Sequence, residues 1–379
     1  MKITSIEPTP SPYSMKINVD EQLADGQTEN YKLDDDLATA PAYIQELFKI
    51  NGVKGLYRVI NFIALERNPR ISWEEILPEV RNVLGSSEES PDELSNETAA
   101  VDQHFGEVKV FIQMFRSIPM QVKLEEGDEE HRFGLPDRFK NAVMEASVAS
   151  DNMLMERKWV EQSPRYGDVQ EIGQDVVDEI DASYGPGRIA ELMDLAVNNE
   201  TTGNQAVSPW KKVTLEMLDA PNWKDRYAAL DRMDPGLEDL PVLDKALDDQ
   251  KGSVRRLATA YLGMIEEKEV LPYLYKALKD KGVNVRRTAG DCLSDLGFTE
   301  AIPEMTATLS DKSRIVRWRA AMFLYEVGDE TAIPALQEAL DDPEFEVRMQ
   351  VKMALSRIQG GKEAKGSIWS QMTEAAKQK

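Results

Sequence analysis

The feature that most constrains the fold is a repeat with a period of 31 residues in the last part of the chain. The recurring residues are Pro241, Pro272, Pro303 and Pro334; Leu247, Leu278, Leu309 and Leu340; Asp249, Asp280, Asp311 and Asp342; and Arg255, Arg286, Arg317 and Arg348, each preceded by valine. Several columns that coincide four times at one fixed shift are typical of stacked repeats.

Each repeat predicts a helix, a turn and a second helix. Pro241 suits the first turn of a helix, where its missing N–H costs no hydrogen bond. The stretch 248–253 supplies turn residues, and the second helix is predicted to begin near Val254 and to bury Ala258 and Leu262. Because such a helix pair cannot cover its own apolar faces, neighbouring pairs must stack into a solenoid.

An imperfect earlier copy lies at residues 210–233, where 223–230 matches the second helix, so the chain has four clear units and a degenerate one. With aspartate in the turn and Val-Arg opening the second helix, residues 209–360 resemble the short HEAT-like repeats of phycobilisome lyases. The resemblance implies an all-α solenoid. It says little about function, since such repeats serve as scaffolds, adaptors and occasionally lyases.

The aspartate and arginine columns have two interpretations. In the first, which we favour, they form an Asp–Arg ladder that fixes each turn to its neighbour, with the aspartate also capping the second helix. In the second, the positions after the arginine column, Arg256, Arg287 and Trp318, form an exposed recognition stripe for an acidic peptide. Arginine and aromatic side chains are typical interface anchors.

Composition excludes several classes of function. The net charge of −23 argues against nucleic acid and anionic membrane surfaces as partners, because affinity for phosphate rests on clustered Lys and Arg. No apolar run approaches the roughly 20 residues that span a bilayer, and the first residues do not resemble a signal peptide. The expected location is therefore cytoplasmic. The one cysteine, Cys292, rules out an internal disulfide and is expected in the repeat core.

Residues 1–85 predict a separate α+β domain. Met15, Ile17 and Val19 alternate as in a half-buried strand, and further strands are predicted at 53–59 and 62–66. A short helix is predicted at 42–48. A last helix follows Ser72, which is expected to cap it, with Glu75 completing a capping box.

This domain resembles the N-terminal domain of the Nfu/NifU iron–sulfur scaffold proteins. The resemblance rests on Thr-Pro-Ser-Pro-Tyr-Ser-Met-Lys-Ile at 9–17 and on the segments 47–56, 62–65 and 73–80. That family holds its cluster on a Cys-x-x-Cys in another domain, which this chain lacks, so the resemblance implies a docking role rather than cluster binding. The alternative is that residues 9–17 only shape the entry into a strand.

Between these parts, the sequence predicts an acidic linker at 86–103 and a small α+β domain at 104–200. We expect strands at 108–114 and 120–124 and helices at 136–150, 169–180 and 189–197. The remainder, 361–379, is predicted to be a polar tail.

Several side chains of this middle region could suggest a site. Asp128, Glu129, Glu130 and His131 are expected to form a solvated turn rather than a metal site, because successive residues of a hairpin point in alternating directions. The charged residues Asp178, Glu179 and Asp181 are likewise expected to be solvated at a helix end. Met144, Met153 and Met155 are expected in the core.

The sequence contains no P-loop, dinucleotide fingerprint, nucleophile elbow or metal-binding helix, so we expect no enzyme, cofactor or metal site. The order of its parts resembles the bacterial conserved virulence factor C family, whose name gives no reaction to transfer. The leading hypothesis is a non-catalytic intracellular adaptor, possibly regulatory in virulence, that binds protein partners through its solenoid. The alternatives are an accessory factor in iron–sulfur assembly or iron binding and, with less support, a lyase-like enzyme.

Overall fold

The computed structural model describes residues 1–9, 11–24, 27–85, 107–127, 129–150, 152–197 and 212–361. The predicted linker at 86–103, the residues His104 and Asp128, and all but the first residue of the predicted tail lie outside the described residues.

The strands are β1 Ile3–Pro8, β2 Ser14–Val19, β3 Thr28–Lys32, β4 Val53–Val59, β5 Phe62–Arg67, β6 Glu107–Phe115, β7 Ile118–Glu126, β8 Glu129–Gly134 and β9 Arg157–Tyr166. The α-helices are α1 Ala42–Leu47, α2 Trp73–Leu84, α3 Asp137–Ser147, α4 Met153–Glu156, α5 Val169–Ser183, α6 Pro186–Val197, α7 Trp223–Leu230, α8 Leu240–Leu247, α9 Gly252–Met264, α10 Leu271–Ala277, α11 Val283–Leu296, α12 Ile302–Thr308, α13 Arg314–Val327, α14 Ile333–Glu338 and α15 Phe345–Gln359. The predicted order, an α+β N-terminal half followed by a run of helices, is confirmed.

The chain forms two compact units, and each combines a small α+β domain with part of the repeats. The first unit consists of Met1–Phe105 and Thr299–Lys379, and the second of Gly106–Phe298. The boundary falls between α11 and α12. The sequence predicted one block of repeats at 209–360 and contained no sign of this division.

The sheet of the first unit has the strand order β1-β2-β5-β4-β3, with every neighbouring pair antiparallel. The alternating pattern of β2 is confirmed, since Met15, Ile17 and Val19 are buried. Ser72 caps α2, its hydroxyl accepting a hydrogen bond of 3.2 Å from the N–H of Glu74. The core contains residues of β2, β4, β5, α1 and α2, and Met349 of α15 belongs to it.

The sheet of the second unit has the order β8-β7-β6-β9 and is also antiparallel. Its core contains residues of β6 and β7 and of the helices α3, α5 and α6. The edge strand β9 was not predicted, and neither were β1 and β3 in the first unit. Within the second unit, α5 packs against α7, and α9 packs against α7 and α11.

The repeat helices follow the predicted periodicity. Proline occupies the first turn of each first helix, α8, α10, α12 and α14. In the second helix of the first repeat, Ala258 and Leu262 are fully buried, as predicted. The helix α11 is followed by Gly297, whose φ of +66° lies in the left-handed region that glycine adopts without strain.

Candidate functional site

An Asp–Arg ladder links neighbouring repeats within each unit. Arg255 donates two parallel hydrogen bonds to the carboxylate of Asp280 in the next repeat, at 2.7 and 3.0 Å. Arg317 makes the same pair of bonds to Asp342, at 2.6 and 3.0 Å. Two parallel bonds to a carboxylate fix both distance and orientation, which is why this geometry suits a joint between turns.

The same side chains also order the turn of their own repeat. The third guanidinium nitrogen of Arg255 donates to the carbonyl oxygen of Asp249, at 2.8 Å, and the other arginines of the column repeat that bond. The Asp249 carboxylate accepts from the N–H of Lys251, the residue that precedes α9. The aspartate therefore fixes the residue before the helix. It had been expected to cap the helix itself, and this expectation is wrong.

The degenerate copy extends the ladder by one step. Arg226 of α7 donates to both carboxylate oxygens of Asp249, at 2.6 and 2.9 Å. Burial alone would raise the pKa of Asp249, but the hydrogen bond and charge of Arg226 hold it below its ordinary value. The sequence analysis matched this segment to a second helix. Arg226 occupies the position of the arginine column there, and this position is the signal from which its bond to Asp249 could have been predicted.

The predicted recognition stripe is not exposed. Arg287 and Trp318 have only 3% and 2% of their surface exposed, and the side chain of Arg256 has 13%. As an exposed stripe the prediction is wrong, because in the second unit the α+β domain itself covers Arg256 and Arg287.

Arg256 of α9 reaches a buried carboxylate on α5. Glu179 accepts hydrogen bonds from Arg165 of β9, at 3.1 Å, and from Arg256, at 3.3 Å. Ser253, also on α9, bonds the same carboxylate. Burial alone would raise the pKa of Glu179, but the two guanidinium charges and these hydrogen bonds together lower it. Glu179 was expected to be solvated, and this expectation is wrong, since only 8% of its surface is exposed.

The next repeat binds the end of β9 through its backbone. The amide oxygen of Asn284 accepts from the N–H of Tyr166, at 2.8 Å, and its amide nitrogen donates to the carbonyl of Tyr166, at 3.0 Å. The guanidinium of Arg287 lies 5.3 Å from the centre of the Tyr166 ring. One amide side chain thus satisfies both backbone groups of a residue, as a neighbouring strand would.

In the first unit the last repeat holds the N-terminal domain. Arg67 of β5 donates to Glu346 of α15 at 2.9 Å, and both side chains are more than nine-tenths buried. The guanidinium also lies over the rings of Tyr13 and Trp73, at 5.2 and 5.7 Å. Burial lowers the pKa of Arg67, which Glu346 partly restores. The segment 9–17 therefore contributes Tyr13 to this contact, whereas its predicted docking of an external partner stays a prediction.

These contacts occupy two positions of the repeat, three residues apart on the second helix. The positions before the Val-Arg pair are Ser253, Asn284, Ile315 and Glu346, and the positions after it are Arg256, Arg287, Trp318 and Met349. A spacing of three residues puts both on one helix face. We call this face the acceptor face. It contacts the middle domain in α9 and α11, and the N-terminal domain in α15.

Cysteine and histidine do not form a metal centre within the described part of the chain. There, no group of three or more His, Cys, Asp or Glu side chains could hold a metal ion. Cys292 is buried in α11, with its sulfur 3.5 Å from the carbonyl of Thr259, and its expected place in the repeat core is confirmed. Glu129 and Glu130 are exposed, as expected, but with His131 they lie in strand β8 and not in a turn. Among the described helices, none combines the length and apolarity needed to cross a membrane.

Three parts of the chain match known families. The family described as scaffold protein Nfu/NifU N terminal matches residues 3–90. The family described as virulence factor matches residues 113–193, and HEAT repeats match 238–322 and 276–356. The resemblances inferred from the sequence are thereby confirmed.

Curated relatives extend over the whole chain. A Bacillus subtilis protein named uncharacterized protein YpgR is 58% identical and covers 100% of this chain and 99% of its own. A Staphylococcus aureus conserved virulence factor C is 47% identical and covers 98% and 99%. A solved structure of Staphylococcus aureus protein SAV1430 is 36% identical over 22% of this chain and 98% of its own, with a TM-score of 0.21. With relatives this similar over their full length, the chain belongs to the conserved virulence factor C family.

Proposed function

We propose that this chain is a non-catalytic cytosolic adaptor, in which a frame of helical repeats carries two α+β domains and binds protein partners. The observation that carries the proposal is the acceptor face, on which the repeats bind protein groups of the chain's own domains. There, repeat side chains engage protein groups of three kinds: a backbone amide at Asn284, a carboxylate at Arg256 and an apolar core at Met349.

The chemistry of this face supports protein binding rather than a reaction. The buried charges are paired with each other, as Glu179 is with Arg165 and Arg256. Paired, inward-facing charges stabilise an interface, whereas a catalytic acid or base must reach a substrate. The net charge of −23 further supports a protein partner over nucleic acid or an anionic membrane.

The names of the relatives add a biological setting. The Staphylococcus aureus relatives are called conserved virulence factor C. This name supports a regulatory contribution to virulence in pathogenic organisms that carry such a protein. The match of the N-terminal domain to Nfu/NifU scaffolds keeps one alternative testable, an accessory role in iron–sulfur assembly. Such a role would take its thiolates from a partner, since Cys292 is buried.

The test is an anaerobic affinity purification of the tagged full-length chain from its own cells, read by mass spectrometry and by iron content. We expect a stoichiometric protein partner and no iron. Bound iron, or cluster-assembly proteins as the main companions, would replace the adaptor by the accessory factor. Purification of the chain alone, under crosslinking conditions that retain known complexes, would contradict both.

A further inference from the structure

Five large apolar side chains project into solvent from one end of the middle domain. They are Met144 (60% exposed), Val148 (88%), Leu154 (69%), Met155 (78%) and Val197 (43%), and we call them the methionine patch. Met144 and Met155 were expected in the core, and this expectation is wrong. Single exposed apolar residues are ordinary, but a contiguous set marks a binding surface or an aggregation hazard.

One side chain, Arg116, joins the three chain segments that carry the patch residues. Its guanidinium donates to the carbonyl oxygens of Ala149 and Ala196, at 3.2 and 2.6 Å. It also bonds both carboxylate oxygens of Glu156, at 2.5 and 3.1 Å. Each of these three partners is the sequence neighbour of a patch residue, namely Val148, Val197 and Met155. The ends of α3, α4 and α6 therefore meet around one guanidinium, and Met144 lies one turn before Val148 on α3.

The backbone of Arg116 has an unusual conformation. It lies at the tip of the β6–β7 hairpin with a φ of +46°, followed by Ser117 at +67°. Two successive residues other than glycine in the left-handed region are unfavourable and persist only where the surroundings hold them. The two-residue loop between Phe115 and Ile118 requires both positive φ angles. The hydrogen bonds of the guanidinium then join this loop to the ends of α3, α4 and α6.

The composition and the charge of the patch specify its occupant. Methionine and leucine side chains adapt to different shapes and are typical of grooves that bind amphipathic helices. The patch lies on a chain of net charge −23, and Glu145 and Asp194 are exposed on its helices α3 and α6. That field attracts a basic partner and repels both a second copy of the chain and an anionic lipid surface.

We propose that the methionine patch binds a basic amphipathic helix of a partner protein. This proposal deepens the adaptor function and rests on it, since it assigns a surface and a chemical class to the partner. The acceptor face serves the chain's own domains, while the methionine patch serves the external helix.

The test uses a fluorescein-labelled helical peptide of about 20 residues, with leucine on one face and lysine on the other. Fluorescence anisotropy against the full-length chain compares it with a scrambled peptide of the same composition. We expect the helical peptide to bind the chain more tightly than the scrambled one. The double variant Val148→Ser/Met155→Gln, which removes apolar surface without adding charge, should weaken its binding by at least about tenfold. Both substitutions are at the surface, and unchanged circular dichroism and thermal unfolding will establish that the variant folds.

The matched control is Met264→Gln, which changes an exposed methionine (59%) outside the patch and should leave binding unchanged. Equal binding of the two peptides, or equal binding by the double variant, would overturn the proposal. So would a dimer, seen by light scattering, that only the double variant abolishes, or patch-dependent binding to phosphatidylglycerol vesicles.

The cellular purification separates this proposal from the adaptor function. If the wild-type chain and the double variant retain the same partner, the adaptor stands and the patch assignment fails. If no partner is found, the adaptor fails, and the peptide titration still decides whether the patch binds a helix.

Discussion

Glu179 lies between two guanidinium groups, so one negative charge faces two positive charges. This ratio determines how much each of the three side chains contributes to the stability of the contact between the middle domain and the repeats. Arg165 and Arg256 both donate to the same carboxylate oxygen. Burial and the charge of Arg256 lower the pKa of Arg165, while Glu179 raises it. The carboxylate is therefore the group that keeps two buried cations together, and its loss matters more than the loss of either cation.

Glu179→Gln should destabilise the chain by about 3–5 kcal/mol, because it leaves two buried guanidinium groups without a counter-charge. Arg256→Met should have a smaller effect, since Glu179 then still pairs with Arg165. Urea unfolding of both variants measures this order, with the exposed Glu191→Gln as the control. An equal or reversed order would contradict the role given to the carboxylate.

The same carboxylate predicts a dependence of stability on pH. The pKa of Glu179 is lower in the folded chain than its ordinary value of 4.5, so the unfolded chain binds its proton more readily. Its contribution to stability is fully present above pH 4.5 and is lost as the pH falls through the lower folded value. The difference in unfolding free energy between wild type and Glu179→Gln should thus shrink on acidification. A constant difference would show that the carboxylate is not ionised in the fold.

Asn284→Ala tests the other polar contact of the acceptor face. It removes the partner of both the N–H and the carbonyl of Tyr166, which should cost about 1–3 kcal/mol. Hydrogen exchange at the Tyr166 amide should accelerate, while Asn30→Ala, at an exposed position of β3, leaves it unchanged. Undiminished protection of that amide would mean that the bond is not made in solution.

Among the elements, the second helices of the repeats show a division between recurring and varying positions. The recurring columns, Asp and Arg, hold neighbouring repeats together within each unit. The varying columns, such as Ser253, Asn284 and Glu346, contact different domains. Periodicity detects only what recurs, so it predicted the ladder and gave no signal for these acceptor positions. Conversely, β9 was not predicted because only two of its ten residues are fully buried, which leaves little alternation to detect.

Two arginines of the ladder, Arg255 and Arg348, differ in whether they bond a carboxylate, and their substitution can therefore be compared. Arg255→Ala should cost about 3–5 kcal/mol, because it removes the guanidinium from the largely buried Asp280 carboxylate, which keeps only the Gly282 N–H as a donor, and takes a donor from two carbonyl oxygens. Arg348 bonds the carbonyls of Asp342 and Pro343, and the position 31 residues after Asp342 is Thr373 rather than aspartate. Arg348→Ala should therefore cost only about 1–2 kcal/mol. Thermal and urea unfolding measure both, and equal losses would show that the carboxylate bonds add little.

At the scale of the whole molecule, the N-terminal domain packs on repeats that are remote from it in sequence, whereas the middle domain packs on the repeats that follow it. No signal in the sequence indicated this difference. Residues 1–85 and 299–361 share one unit although more than two hundred residues separate them. Composition and periodicity describe each part alone. The pairing depends on individual contacts such as Arg67 with Glu346, which have no signature in a single sequence.

Met349→Ala tests whether the N-terminal domain and the last repeats unfold together. Met349 belongs to the core formed by β2, β5, α1 and α2, and 6% of its surface is exposed. Its truncation should leave a cavity and cost about 2–5 kcal/mol. Because that core is shared, hydrogen exchange should accelerate together in β2, β5 and α2 and in α13 and α15. The exposed Met264→Ala should change neither set, and faster exchange confined to α15 would mean that the N-terminal domain is stable without the repeat.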